Sequence, residues 1–222
     1  MRRSTALLVS TFGFVAFYVG AVGVLGTTPE TTDSGTLVRT WFGDHGSQVQ
    51  FWLLFSTFAL VAFAVYAAIV RNALPAPHRD VFLIGAIALI AETAAQGWVW
   101  GGLALHPSGL APATARTLLD VASFWGPLLT GATITMLAPV ALLAFQRRAG
   151  LPLWLGVVSA VAIVEQGIET VTIFGRRGFT APGGPMNLFL GGGLVTVAIV
   201  CLGVVLARSM PAEGNEAGSR QP

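Results

Sequence analysis

Three glutamates stand where almost every neighbour is apolar. Glu92 lies in Leu89-Ile90-Ala91-Glu92-Thr93-Ala94-Ala95-Gln96, and Glu165 and Glu169 lie in Ala162-Ile163-Val164-Glu165-Gln166-Gly167-Ile168-Glu169. Positions four apart share a helix face, so Glu92 pairs with Gln96 and Glu165 with Glu169. A charged side chain at the centre of a bilayer costs at least ~2.5–3.5 kcal/mol, and an intramembrane ionisable group marks a functional site by default. In such surroundings the neutral acid is favoured over the carboxylate, and two close carboxyls favour sharing one proton. Glu92 and Glu165 are therefore the candidate catalytic acid or base groups. In a water-poor site such a group gives a proton to an apolar substrate or takes one from it. The same groups also suit proton relay, or plain hydrogen bonding across helices as structural glue.

Around them the sequence sets further candidates for binding. Gln96 and Glu169 extend the polar layer. Trp98 and Trp100 follow Gln96, and Trp125-Gly126-Pro127 sits at similar height on another apolar stretch. Indoles collect at membrane interfaces, but Trp98 and Trp125 also read as walls of a pocket, where aromatic faces stabilise a cation. Asp120 lies one turn after Arg116, so it suits an ion pair or a place at the mouth of the site. His45, His106, Asp120 and Glu169 lack tight ligand spacing, and no metal or cofactor is expected.

The elements that must position these residues are membrane helices. Of 222 residues, 54% are apolar and only 10% are charged, with a mean hydropathy of +0.74. A soluble domain carries about 25% charged residues. Six apolar stretches reach the roughly 20 residues that cross about 30 Å of hydrocarbon. They run over about 4–26, 51–70, 81–105, 118–145, 153–174 and 188–207. Helix is the assignment, because a backbone in lipid must satisfy its own hydrogen bonds or close into a barrel, and these runs are twice as long as barrel strands. The fold class is thus all-α, a polytopic bundle of six transmembrane helices. The first run is read as a retained span, since it exceeds the roughly 7–15 residues of a signal-peptide core. By rise per residue, Glu92 sits about 18 Å beyond Asp80 and Glu165 about 16 Å below Arg176, both near mid-membrane. If the third and fifth spans face each other, Glu92, Gln96, Glu165 and Glu169 form one layer.

Arginine placement sets the expected orientation. With the N-terminus in the cytoplasm, Arg2, Arg3, Arg71, Arg79, Arg147, Arg148, Arg208 and Arg220 lie inside, and Arg39, Arg116, Arg176 and Arg177 outside. Both termini are then cytoplasmic, and the membrane is the plasma or inner membrane. Residues 27–50 read as an extracytoplasmic loop with a short amphipathic segment on the headgroups, and 209–222 as a disordered polar tail. The net charge of +2 is explained by topology, and no nucleic-acid partner is expected. The expected partners are the bilayer and a lipophilic small molecule, with a homo-oligomer or larger membrane complex also open.

Several chemistries are excluded by what is missing. There is no Lys, hence no Schiff-base lysine. The single Cys201 cannot form an intrachain disulfide. No phosphate-binding Gly-rich loop, Gly-x-Ser-x-Gly elbow, His-Glu-x-x-His or Asp-rich pyrophosphate motif occurs. In size and in its mid-membrane carboxyls the chain is similar, in a general way, to small integral-membrane terpene cyclases. Their Trp-Glu pattern is absent, because Glu92 follows Ala91 and Glu165 follows Val164. Three readings stand on the sequence: a membrane-embedded binder or enzyme for a lipophilic molecule, a proton-coupled transporter or channel subunit, and an accessory subunit held by its glutamates. Whether the chain is an enzyme is left open.

Overall fold

Helices that are apolar on every side can bury polar groups only by closing around them, and the chain does this with a ring. The structure is a computed structural model and describes residues 2–210. Eight α-helices are present among these residues, with no strand: α1 (Arg3–Leu25), α2 (Gly35–Asp44), α3 (Gly46–Ala73), α4 (His78–Leu105), α5 (Pro112–Ser123), α6 (Trp125–Phe145), α7 (Leu153–Glu169) and α8 (Gly192–Ser209). A 3-10 turn, Thr170–Phe174, extends α7, and a π-helical turn, Met186–Gly191, leads into α8. Six helical stretches are long and apolar enough to cross a membrane, as expected: Arg3–Leu25, Gly46–Ala73, His78–Leu105, Pro112–Phe145, Leu153–Phe174 and Met186–Ser209. The polar tail expected at 209–222 lies, from residue 211 on, outside the described residues.

The six spans close in chain order. α1 packs on α3, α3 on α4, α4 on α6, α6 on α7, α7 on α8, and α8 returns to α1. The condition for one polar layer is not met: the third and fifth spans do not face each other, because α6 stands between α4 and α7. The reason is a small-residue seam. A Cβ on Gly85 of α4 would lie 2.7 Å from the Ala132 carbonyl oxygen and 2.8 Å from Met136 Cα on α6. Small residues let membrane helices approach this closely.

The outer surface is apolar on all sides. Phe12, Phe58, Ile84, Leu128, Val164 and Val197, one from each span, are all exposed. A water-soluble protein rarely exposes large contiguous apolar patches, and a belt of this kind matches hydrocarbon.

The two ends of the bundle differ. The end that carries the start of α1 and the end of α8 has a solid core of Leu7, Phe63, Tyr66, Phe82, Met136 and Leu202, among others. Several polar groups there are satisfied locally, though Ser159 Oγ, fully buried, has no partner among the described residues. Tyr66 donates to the Ile199 carbonyl at 3.0 Å, and Thr11 to Leu7 O at 2.7 Å. The opposite, distal end is capped by α2 and α5, which pack on each other. The amphipathic segment around Leu37 to Phe42 is helix α2, started by Ser34, whose side chain accepts from Leu37 N at 3.2 Å. It buries Val38 and Phe42 against Trp52, Trp100 and Leu119. The fourth long stretch is bent at Phe124, where α5 ends and α6 begins. At 34 residues it would span about 51 Å if straight, so α5 joins the cap and α6 makes the crossing.

The Gly85 seam predicts a stability effect. Gly85→Val must push α4 from the α6 backbone and should lower stability by about 1–3 kcal/mol, read as a lower unfolding midpoint in detergent. Gly102→Ala, where a Cβ meets nothing within 4 Å, should leave the midpoint unchanged or raise it. Equal midpoints for both variants would refute the seam.

Candidate functional site

Between the solid end and the distal cap lies an internal cavity of about 160 Å³. All six spans line it: Phe14 and Tyr18 from the first, Trp52 and Ser56 from the second, Gln96 and Trp100 from the third, Trp125 and Thr133 from the fourth, Gln166 and Glu169 from the fifth, and Asn187 and Val195 from the sixth. It runs from Ile199 and Ala59 near the middle of their helices to Gly26, Thr28 and Gly183 in the distal connections. Its walls are mostly apolar and aromatic, and no arginine or histidine lines it. A cavity of ~150 Å³ is known to hold benzene, so this one fits a small ring or the head of a longer molecule.

One carboxyl, that of Glu169, faces this space. Glu169 is 2% exposed, and its surroundings are a directed hydrogen-bond chain. On α6, the Thr133 hydroxyl contacts Gln166 Oε1, its one proton shared with the Thr130 carbonyl at 2.9 Å and the Leu129 carbonyl at 3.1 Å. With its oxygen so occupied, the Gln166 amide turns its Nε2 to the acids, 2.7 Å from Glu169 Oε2 and 2.9 Å from Glu165 Oε2. From the other side, Gly183 N donates to Asn187 Oδ1 at 2.8 Å, which turns Asn187 Nδ2 to Glu169 Oε1 and, at 3.3 Å, to Thr172. Both amides therefore point donors at the acids. Buried polar groups need such partners, and a half-satisfied network would be worse than an apolar core.

Local backbone makes room for this chain. A Cβ on Gly126 would collide with Asn187, 2.5 Å from its Cγ, and a Cβ on Gly191 would overlap Glu169 Oε2. The π-helical turn sits at the same place, Met186–Gly191. Such turns inside helices are frequent at functional sites. Tyr18 completes this wall, its hydroxyl 3.4 Å from the Leu188 carbonyl. At the distal end of the cavity, Trp52 and Trp100 pack at a tilt of 41° with centroids 5.3 Å apart, and Trp100 Nε1 has no hydrogen-bond partner among the described residues.

The residues singled out from sequence divide as follows. Glu169, Gln96 and Trp125 line the cavity. Glu165 joins them through Gln166 but lines a separate groove on the outside of the bundle. Glu92 lies outside the cavity lining, partly buried, with its Oε2 unpartnered. Seven residues beyond Gly85, it falls on the flank of α4 next to α6. Trp98 is not in the pocket: it is 77% exposed. Two residues from Gln96 on a helix means the opposite side, and the indole four residues on, Trp100, takes the pocket position. Asp120 is not in the cavity wall either; it pairs with Arg116 one turn earlier. Gln166, Asn187, Tyr18 and Trp52 were missed. Gln166 stood beside Glu165, and Trp100 four residues after Gln96, so helical phase held the signal for both. Nothing local marked Asn187. Among the described residues no group of three or more His, Cys, Asp or Glu side chains comes together as a metal site.

Arg116 has a different job. Its guanidinium binds Asp120 through Nε at 3.1 Å and also the carbonyls of Glu30 and Asp33, both at 2.9 Å, and of Thr31. One planar fork thus clamps the 26–34 connection onto α5. Arg116→Ala should cost about 1.5–3 kcal/mol, the range for hydrogen bonds to a charged group, and limited proteolysis should cut the 27–34 connection several-fold faster. Arg116→Lys keeps the charge but loses the fork and should behave like Ala; protection equal to the parent protein would show that charge alone holds the connection.

The chain matches no known protein-family model, no curated protein and no solved structure.

Proposed function

We propose that the chain is an integral membrane protein that takes a lipophilic small molecule into the central cavity and exchanges a proton or hydrogen bond with it at Glu169. The observation that carries this reading is a single carboxyl, on an aromatic-walled cavity with no basic residue, held by amides that are themselves oriented from behind. Such a site favours a ligand with a basic or hydrogen-bond-donating group and disfavours an anion. Trp52, Trp100 and Trp125 give the cavity wall apolar area. Few, well-placed polar groups in a mostly apolar hollow are what small-molecule sites use to fix orientation.

Acid–base chemistry is the enzymatic form of this proposal. Glu169 is the group that would give or take the proton, and Gln166 and Asn187 are the positioning residues. Glu165, bridged to Glu169 by the Gln166 amide, is the nearest second store for that proton. Proton-coupled transport is the second reading. It is favoured by the hollow distal half over a solid opposite half. The two readings part on one measurement in liposomes: pH-dependent flux of an unchanged molecule indicates transport, and a covalently changed product indicates an enzyme.

The reading is tested by extracting the protein into nanodiscs directly from its membrane and identifying released small molecules by mass spectrometry. The parent protein and Glu92→Gln should carry the same lipophilic compound. Glu169→Gln turns an acceptor into a donor facing two donors, so it should lose at least ~tenfold of that compound, as the loss of one charge-assisted hydrogen bond implies. An empty parent protein, or equal loading of all three, would sink the proposal.

A further inference from the structure

The hydrogen-bond chain around Glu169 leaves one amide of the cavity wall unused. Leu89, Thr93, Gln96 and Trp100 recur every three or four residues along α4 and all line the cavity, so they form the inner face of that helix. Gln96 is 9% exposed. The amides of Gln166 and Asn187 are each bonded at both ends. That of Gln96 makes no hydrogen bond among the described residues, and unlike Trp100 Nε1 its oxygen and nitrogen are open to the cavity.

A hydroxyl stands beside it. A Cβ on Gly97 or Gly101 of α4 would lie 3.2 Å from the Leu53 side chain of α3. The two helices are antiparallel neighbours, so Ser56, three residues after Leu53, comes to the level of Gln96. Ser56 lines the cavity as well. Thr57, Thr93 and Thr196 return their hydroxyls to the carbonyl one turn back, whereas Ser56 makes no such bond. Leaving a buried donor and acceptor unmade is costly, and an apolar residue of the same shape is neutral or better. Packing alone therefore gives no reason for an amide at position 96. This polar pair is on a different side of the cavity from Glu169. Gln96 and Ser56 come from the third and second spans, Glu169 and Asn187 from the fifth and sixth, and α6 stands between α4 and α7. Glu169 is the only carboxyl or base in the lining, so the Gln96 side suits a neutral group. A glutamine amide both donates and accepts, which matches a hydroxyl or a carbonyl.

We propose that the cavity takes a compact lipophilic molecule with two polar functions, one that donates to Glu169 and a neutral hydroxyl or carbonyl that pairs with Gln96 beside Ser56. This rests on Glu169 being a ligand site and adds what the other end of the ligand carries.

The test uses the full chain in nanodiscs and two phenols of one shape, 4-hydroxybenzyl alcohol and 4-ethylphenol. They differ by a hydroxyl in place of a methyl, so both offer Glu169 a phenol and only the first offers Gln96 a partner. Dissociation constants are measured by titration, with empty nanodiscs correcting for uptake by lipid. Gln96→Leu should weaken the alcohol about fivefold, as one neutral hydrogen bond implies, and leave 4-ethylphenol as tight or tighter. Glu169→Gln should weaken both phenols. Without ligand, Gln96→Leu should unfold at the same midpoint as the parent protein or higher, because it removes an unmade amide. A lower midpoint, or a variant that does not fold, would make Gln96 a structural bond and overturn the proposal. So would an alcohol bound equally by parent and Gln96→Leu, the result expected if bound water serves the amide, or binding of neither phenol to the parent. The Glu169 reading is judged apart, by the compound that the parent protein releases and Glu169→Gln loses in mass spectrometry.

Discussion

An acid buried in hydrocarbon has to be surrounded by donors, and in this chain that requirement shapes the whole distal half. Glu169 gets its donors from two amides on different spans. Neither amide would present its nitrogen without a second contact that claims its oxygen, Thr133 for Gln166 and the Gly183 N–H for Asn187. The chain of contacts ties α6, α7, the 183–187 connection and the π turn into one unit. It also dictates where side chains are forbidden. Gly126 and Gly191 are glycine because Asn187 and Glu169 occupy the space a methyl would need. Here the close approach, rather than backbone freedom, requires glycine.

The same requirement explains why the bundle is hollow on one side only. In the half near the chain ends, Ser10, Thr11 and Tyr66 satisfy themselves on their own helix or across one contact. Nothing there prevents large side chains from filling the middle, and Phe63, Tyr66, Phe82 and Met136 fill it. In the distal half, Gln96, Gln166, Glu169 and Asn187 project inward from three of the spans, and the ring cannot collapse onto them without stranding polar atoms. The cap of α2 and α5 closes over the space instead, with Trp52 and Trp100 shared between cap and cavity.

Much of this was legible from sequence, and the limits have a physical cause. Hydropathy and length locate the spans to within a few residues, because the bilayer imposes one length on all of them. Polar residues within them are equally visible: Gln96 and Glu169 were picked out before any geometry. Helix neighbours were legible only in part: short connections make sequential spans neighbours, as they are, but they leave open whether the third and fifth also meet. Lipid tails are as apolar as leucine, so lipid-facing and helix-facing sides differ little in composition. The layout with α4 facing α7 therefore looked as good as the ring in which α6 separates them, and only the fit of Gly85 against Ala132 and Met136 decides it. Helical phase was used for the carboxyls but not carried on to the indoles. Counting four from Gln96 reaches Trp100, and Trp98 falls on the far side.

The remaining question is whether the acids are glue or a site, and unmade bonds bear on it. A network retained only to fix helix positions gains nothing from a void beside it or from polar atoms left over. Around Glu169 the internal bonds are complete, as glue would require. Immediately outside that shell they are not. Trp100 Nε1, at the cavity, and Glu165 Oε1, in a residue that lines the outer groove, have no partner. Unpartnered atoms also occur away from both hollows, at Glu92 Oε2 and at Ser159 Oγ, so unmade bonds alone do not mark a site. What sets the distal half apart is the cavity kept open beside a completed Glu169 shell. A void beside a complete network is costly for a purely structural element. It is what the proposed site needs, a frame that keeps Glu169 fixed beside open space.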